Sequence, residues 1–433
     1  MKLANIFENN YAVTALLPVN SLSQSSLSIG ASNKPKGFQD FIVNLKQSLM
    51  AYAFNIFGIV AGSVVAYFLG VFQTFPWAFV VYPPILSSRG VIGGLFCGRL
   101  STGLHLGTIK PSFRRNTRSF CLLLHAIVVS TLEASTFMGV IAAFIFAWSQ
   151  RDLIPELFFN VLIVVVSTMA LSLVVISPLA LIASFLSFKH GLDPDIVLYP
   201  VESTIADFLI TFLYVGVLNV FALNDFAGKY LLLSISLILL FFTVYFILKD
   251  FREEEFVKTL KETLLTIILV SFIINIAGTA FGKIAESVEE RREIYTVYPA
   301  LIDTIGDVGA VVGSTATTKL ALGILKPSFS SIKNHYLEIL SAWVASIIMY
   351  CIYSTFSLII QGVFTLANFL SFTTLLLFTN LIAALSIIMI SYAVAILTYK
   401  KGFDPDNFEI PIESSLADSI TSIALLISLL IIG

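Results

Sequence analysis

Two segments of this chain, 211 residues apart, carry nearly the same sequence, and each ends with an Asp inside an apolar stretch. Residues 191–207 read GLDPDIVLYPVESTIAD and residues 402–418 read GFDPDNFEIPIESSLAD, with nine of seventeen positions identical. A second pair lies upstream, at residues 82–113 and 298–329; both members begin with Tyr-Pro and end with Lys-Pro-Ser-Phe. These internal repeats predict a protein of two structurally related halves.

The composition indicates that most of the surface faces lipid. The chain of 433 residues is 57% hydrophobic and 12% charged, whereas soluble domains carry about 25% charged residues. Helices satisfy their backbone hydrogen bonds internally, so the sequence predicts an all-α integral membrane protein whose main partner is the lipid bilayer. The formal net charge of −2 gives no basis for a nucleic-acid partner.

Eleven segments are long and apolar enough to span a bilayer, which takes about 20 residues per helix. Five lie in each half, and one extra segment, residues 230–248, separates the halves. Two directly joined five-helix units would face opposite ways, so the extra crossing gives them a common orientation. We therefore expect two pseudo-symmetric five-helix repeats about an axis along the membrane normal, with Asp207 and Asp418 at similar depth.

The predicted organisation has four parts. Residues 1–43 form a mostly disordered cytoplasmic tail, residues 44–224 the first repeat, residues 225–260 the connecting helix and loop, and residues 261–433 the second repeat. With the N-terminus in the cytoplasm, the inner segments hold 17 Lys and Arg and the outer segments hold 5. This bias predicts a multi-pass protein of the cell membrane with its C-terminus outside.

The duplicated Asp residues are the leading candidates for a functional site. A carboxylate deep in a bilayer is costly and usually has a role in transport or proton transfer. Ser203 precedes Asp207 by four residues, as Ser414 precedes Asp418, so each pair shares one helix face. Carboxylate and hydroxyl oxygens suit a hard cation such as Mg²⁺. The alternative is that each Asp only joins neighbouring helices by hydrogen bonds.

The second helix of each repeat carries further candidates. Pro83 and Pro299 free backbone carbonyls and would suit a broken helix that lines a pore, although close packing of small residues is an alternative. The second repeat has Asp303 and Asp307 here, where the first has Ser and Val. We expect both carboxylates to join the metal site, and Arg89 to offset one of them across the repeat interface.

Other features leave choices open. Glu202 and Glu413, also duplicated, indicate either an ion-attracting vestibule or a salt bridge to a loop. Metalloprotease, nucleophile-elbow and phosphate-loop motifs do not occur in the sequence, so we expect no enzyme.

These motifs resemble the membrane domain of MgtE-type magnesium transporters, especially the tandem-repeat, MgtE-like solute carriers. YPAL at residues 298–301 resembles the proline-and-leucine opening of that family's second helix, and RLST at residues 99–102 resembles its RLST segment. The resemblance covers about residues 44–431 and implies that the ion-holding acid falls on Asp207 and Asp418. The family's Gly-Asn step is replaced by Gly-Asp at Asp307 and by Gly-Val at Val91.

The sequence thus predicts a transporter or channel for a divalent cation, most simply Mg²⁺, held between the repeats and without an organic cofactor. Both repeats lie in one chain, so a monomer could form the pore. A Na⁺-coupled Mg²⁺ exchanger is the first alternative. A membrane-embedded enzyme that uses the paired carboxylates as acid and base is the second.

Overall fold

The helices follow the apolar segments of the sequence and are separated by short connections. The computed structural model describes residues 36–113, 115–151, 155–189, 194–223, 226–288, 291–401 and 405–433. In this part of the chain the structure is entirely helical, with two short 3₁₀ turns at Ala53–Asn55 and Phe329–His335. The helices are α1 Lys36–Tyr52, α2 Ile56–Tyr67, α3 Leu69–Thr74, α4 Trp77–His105, α5 Arg118–Gln150, α6 Pro155–Lys189, α7 Pro194–Ala222, α8 Phe226–Asp250, α9 Glu254–Val288, α10 Arg292–Ala321, α11 Tyr336–Ile360, α12 Leu366–Lys401 and α13 Pro405–Ile432.

Ten helical segments among the described residues are long and apolar enough to cross a membrane. Helix α10 is not among them; it has 30 residues but carries Asp303, Asp307 and Lys319. The all-α membrane fold is therefore confirmed, while the count of eleven crossings depends on α10 and stays a prediction. Its repeat partner α4 is one of the ten.

Phe41–Gly433 form one compact helical body. The predicted tail lies outside the described residues up to residue 35. Helix α1 begins at Lys36, ahead of the predicted repeat boundary at residue 44. Helix α8, which separates the repeats, packs on α5, α6 and α7 of the first repeat.

The first long helix of each repeat packs against the other repeat. Helix α2 makes its most extensive contacts with α10, and α9 packs on α4 and α5 as well as on α13. Two glycines spaced by four residues allow each close crossing. A Cβ built on Gly58 would lie 2.8 Å from the Ala300 nitrogen, and one on Gly282 would lie 2.7 Å from Val80 Cγ2. The two repeats are thus joined by an exchange of their first helices.

The second helices continue through their prolines, which corrects the expectation of broken helices. Helix α4 contains Pro83 and Pro84, and α10 contains Pro299. A proline removes the hydrogen bond to the carbonyl four residues earlier. The carbonyls of Val80 and Tyr295, freed in this way, face the glycine surfaces of α9 and α2. These two carbonyls, which were expected to line a pore, therefore lie at helix crossings instead.

Both second helices end in the same way. Gly107 follows α4 with φ +71° and Gly323 follows α10 with φ +68°. These left-handed conformations favour glycine, and each amide donates to a carbonyl of the last turn, at 3.2 Å for Gly107 and 3.0 Å for Gly323. The C-terminal end of the second helix is thus fixed equivalently in both repeats.

Candidate functional site

Helices α7 and α13 carry the duplicated Asp residues to the interior. They begin at Pro194 and Pro405, in the middle of the repeated Asp-Pro-Asp sequence. Asp207 and Asp418 lie thirteen residues into their helices, about 20 Å from the first residue at 1.5 Å per residue. The Asp418 residue is 7% exposed, and the side chain of Asp207 is 13% exposed.

Asp303 is the acidic residue that lies near the other three. It lies within electrostatic range of Asp207, Asp418 and Asp307. Ser87 donates a short hydrogen bond to Asp418 Oδ2 across the repeat interface. Four carboxylates from α7, α10 and α13 thus share one buried neighbourhood, hereafter the acidic cluster. Like charges at close range in a medium of low dielectric repel, so this cluster is a strong attractor for a cation.

Asp307 is oriented by a residue of the exchanged helix region. Asn55, at the end of the 3₁₀ turn before α2, donates from Nδ2 to Asp307 Oδ2 at 2.7 Å and contacts Thr304 Oγ1 at 3.2 Å. Thr304 in turn lies 2.8 Å from the hydroxyl of Tyr353. These contacts hold one oxygen of Asp307 in place.

Arg89 brings a positive charge to the same neighbourhood. Its Nη1 atom lies 3.9 Å from Asp207 Oδ1, and the residue is 4% exposed. The expected partners were Asp303 or Asp307 across the interface, whereas the ion pair that the structure describes joins Arg89 to Asp207 of its own repeat. The reason is the packing of α4 on α7 within the first repeat.

Of the two serines predicted beside the Asp residues, the structure describes the side chain of Ser414 alone. The side chain of Ser203 lies outside the described residues, and Ser414 is exposed. Among the described residues, three or more His, Cys, Asp or Glu side chains do not come together closely enough to hold a metal ion directly. A hydrated ion needs fewer direct ligands, because Mg²⁺ keeps several waters and binds one or two carboxylates.

The repeats differ at the acidic cluster although their surroundings match. Tyr82 lies 3.0 Å from Thr211, and the equivalent Tyr298 lies 2.8 Å from Ser422. At the cluster itself, three positions of α4 are unlike those of α10. They are Ser87 against Asp303, Arg89 against Ile305, and Val91 against Asp307. The site is therefore built on a symmetric frame but has an asymmetric charge.

Aromatic side chains fill the space on the N-terminal side of the cluster along α4 and α10. Tyr82 and Tyr298, five residues before Ser87 and Asp303, are 1% and 0% exposed. Their rings are 6.5 Å apart, and Phe281 lies 4.0 Å from the ring of Tyr298. This aromatic layer leaves no exposed surface on these tyrosines.

On the opposite, C-terminal side both helices expose a stripe of small residues at four-residue spacing. The stripe consists of Gly90, Gly94, Gly98 and Thr102 on α4, and of Gly306, Ala310, Ser314 and Thr318 on α10, with Gly94 and Gly306 half-buried. Other exposed helix faces carry large apolar side chains such as Phe241 and Leu248. The stripes are instead suited to a water-filled approach to the cluster.

The other polar candidates have mixed surroundings. Glu413 is 8% exposed and accepts a short hydrogen bond from Ser391; the side chain of Glu202 lies outside the described residues. Because Glu413 bonds to a hydroxyl of α12, the structure favours neither a loop salt bridge nor an open vestibule for it.

Two further groups stabilise helix contacts. His125 lies 2.6 Å from Asp250, and Lys319 lies 2.6 Å from Glu338. Glu133 has one buried carboxylate oxygen for which the structure describes no hydrogen-bond partner.

Sequence reasoning missed Asn55, although a signal for it exists. Residues 55–62 read NIFGIVAG and residues 275–282 read NIAGTAFG. The shared Asn and the two glycines form a third repeat pair. Asn275 donates to Ser271 O at 2.7 Å, and its Oδ1 has no described hydrogen-bond partner. Of these two Asn residues, Asn55 donates to a carboxylate and Asn275 donates to a backbone carbonyl.

Comparison with known proteins places these repeats in context. A family model described as MgtE, divalent cation transporter, matches residues 82–217 and 298–428. The two matches together span more than half of the chain and include all four Asp residues of the cluster. No curated protein matches the chain.

Among solved structures, the crystal structure of the eukaryotic MATE transporter AtDTX14 is similar at 12% sequence identity over 92% of this chain and 97% of that chain. The TM-score is 0.19, too low for this likeness to support an argument about fold or function.

Proposed function

Because the chain belongs to the MgtE family of divalent cation transporters, we propose that it carries Mg²⁺ across the cell membrane and binds the ion at the acidic cluster. The observation that carries this proposal is the position of Asp303 within electrostatic range of Asp207, Asp418 and Asp307. One buried and three half-buried carboxylates in one neighbourhood favour a compensating cation, and a divalent ion supplies the most charge in the least volume.

The ion is held mainly through its water shell. Asp418 and Asp303 lie on facing helices of the second repeat, and Asp307 has one oxygen fixed by Asn55. Mg²⁺ sheds water reluctantly, so carboxylates that accept hydrogen bonds from bound waters, with one or two direct contacts, suit it. Ser203 and Ser414 remain predicted ligands that could contact this shell.

The approach to the cluster follows the small-residue stripes, and the aromatic layer closes the other side. With the N-terminus in the cytoplasm, α4 and α10 end on the cytoplasmic side. The path is then open to the cytoplasm, and the C-terminus lies outside. Inward movement of Mg²⁺ is driven by the membrane potential, worth about 2.3 kcal/mol per charge per 100 mV.

A single chain can form this site. Ser87 of the first repeat contacts Asp418 of the second, so both halves that a dimer would supply are already present. We propose a monomeric pore.

The test is Mg²⁺ flux into proteoliposomes with a fluorescent indicator. The parent protein should transport Mg²⁺, and Asp418→Asn and Asp303→Asn should each lower the rate at least tenfold. Glu286→Gln, an exposed carboxylate outside the cluster, is the matched control and should keep the parental rate. Parental flux in both Asp variants would overturn the assigned site.

The same flux assay distinguishes a channel or uniporter from a Na⁺-coupled exchanger. A rate that follows an imposed potential without Na⁺ supports a channel or uniporter. A rate that requires an opposing Na⁺ gradient indicates the exchanger instead. Mg²⁺ should also raise the thermal midpoint of the parent, since a ligand that binds only the native state stabilises it.

A further inference from the structure

Arg89 is the one basic residue that the structure pairs with a carboxylate of the acidic cluster among the described residues. We propose that Arg89 is a built-in counter-cation that occupies the Asp207 half of the cluster and so limits the cluster to one divalent ion. This inference rests on the proposed function, because it concerns how many ions the transport site holds. It assigns the ion to Asp418, Asp303 and Asp307.

The first argument is the position of the charge. The guanidinium lies 3.9 Å from Asp207 Oδ1. A divalent ion bound at the same carboxylate would lie within a few ångströms of Arg89, and the repulsion there is strong because little water screens it. Asp207 therefore cannot serve both cations.

The second argument is burial. Arg89 is 4% exposed, and a buried guanidinium must be paired, since leaving it alone in an apolar medium is very costly. Arg89 also lines a cavity bounded by α4, α5 and α6. Thr131, Ser172 and Ser177 are among the other residues that line it. The described lining of this cavity offers hydroxyls but no carboxylate, and the carboxylate that the structure describes beside Arg89 is Asp207.

The third argument is symmetry. The frame around the site obeys the repeat, but the position equivalent to Arg89 is Ile305, which is 0% exposed. The equivalent of Asp207 is Asp418, which accepts a hydrogen bond from the neutral Ser87 instead of facing a cation. Arg89 thus neutralises Asp207, whereas the equivalent Asp418 is left to bind the ion.

The formal charges agree with a single ion. Four ionised Asp residues would balance two divalent ions. With Arg89 the cluster carries a formal charge of −3, so one Mg²⁺ leaves −1 and a second would leave an excess of positive charge. Arg89 therefore limits the cluster to one Mg²⁺ ion, whereas the four carboxylates alone would balance two.

The experiment is Mg²⁺ binding to the purified full-length protein by equilibrium dialysis with metal analysis. We expect one Mg²⁺ per chain for the parent and two for Arg89→Gln. Arg89→Lys keeps the charge and should keep one. Arg99→Gln, which removes a half-buried arginine paired with Glu262 outside the cluster, is the control and should bind as the parent does. One ion in Arg89→Gln would overturn the inference.

A second variant covers the case in which Arg89→Gln does not fold. Arg89→Gln combined with Asp207→Asn removes both charges of this ion pair together. If Asp207 is reserved for Arg89, the double variant binds one Mg²⁺ with an affinity within threefold of the parent. A loss of more than tenfold would show that Asp207 is an ion ligand and would overturn the inference. If the parent binds no Mg²⁺, or Asp418→Asn leaves binding unchanged, the proposed function itself fails.

Discussion

Ser87 of the first repeat donates a hydrogen bond to Asp418 of the second. The residue equivalent to Ser87 is Asp303, and the residue equivalent to Asp418 is Asp207, so the matching contact across the axis brings two carboxylates into electrostatic range. One contact is a hydrogen bond from a neutral hydroxyl to a carboxylate, and its counterpart is a repulsive pair of carboxylates. That pair becomes favourable when a cation binds.

This difference predicts unequal effects of alanine in the two second helices. Asp303→Ala or Asp307→Ala should lower the Mg²⁺ flux at least tenfold, because each removes a charge from the cluster. Ser87→Ala removes one hydrogen bond to a carboxylate, worth about 1.5–3 kcal/mol, but no charge, and should lower the flux less. Initial rates in proteoliposomes measure this. Equal and negligible effects at all three positions would mean that this motif serves packing alone.

The two equivalent Asn residues provide a matched pair for a second prediction. Asn55→Ala removes the donor to Asp307 Oδ2 at 2.7 Å and should weaken the stabilisation by Mg²⁺, because Asp307 is no longer oriented. Asn275→Ala removes a side chain whose Oδ1 has no described partner and should leave that stabilisation at the parental level. Thermal unfolding with and without Mg²⁺ measures both. An equal loss in the two variants would contradict the role given to Asn55.

A third prediction concerns the helix exchange. Gly62→Ala and Gly278→Ala should each destabilise the fold by about 1–3 kcal/mol or more, because the added Cβ would enter the backbone of the opposite repeat at Thr296 and Val80. Gly216→Ala, whose Cβ would meet nothing within 4 Å, is the control and should be neutral or stabilising by about 0.5–1 kcal/mol. Thermal midpoints in detergent give the comparison. Unchanged midpoints in both crossing variants would refute the close approach.

The fourth prediction tests orientation. Lys110 and Lys326 lie at equivalent exposed positions after α4 and α10, and Thr365 lies between α11 and α12. In a variant without native cysteines, cysteine at Lys110 or Lys326 should react with an impermeant reagent from the cytoplasm, and cysteine at Thr365 from outside. Labelling of the first two positions from opposite faces would disprove a parallel arrangement of the repeats.

Much of the architecture could be predicted because it depends on local patterns. Apolar segments of bilayer length predict helices, and long helices occupy those segments among the described residues. The repeat comparison identified Asp207, Asp418, Asp303 and Asp307 as candidates. The comparison of the repeats did not show which of these residues lie close together in space. The expectation that the prolines break the second helices was wrong.

The sequence by itself determined the fold class, the duplication and the identity of the acidic residues, because hydropathy and repeated motifs are properties of short segments. Only the tertiary structure decided which of these residues act on one another. The exchange of α2 and α9 between the repeats places Asn55 on Asp307, and the packing of α4 on α7 directs Arg89 to Asp207. These pairs are separated by 252 and 118 residues in the chain, and their contact depends on how helices cross, which no local pattern specifies.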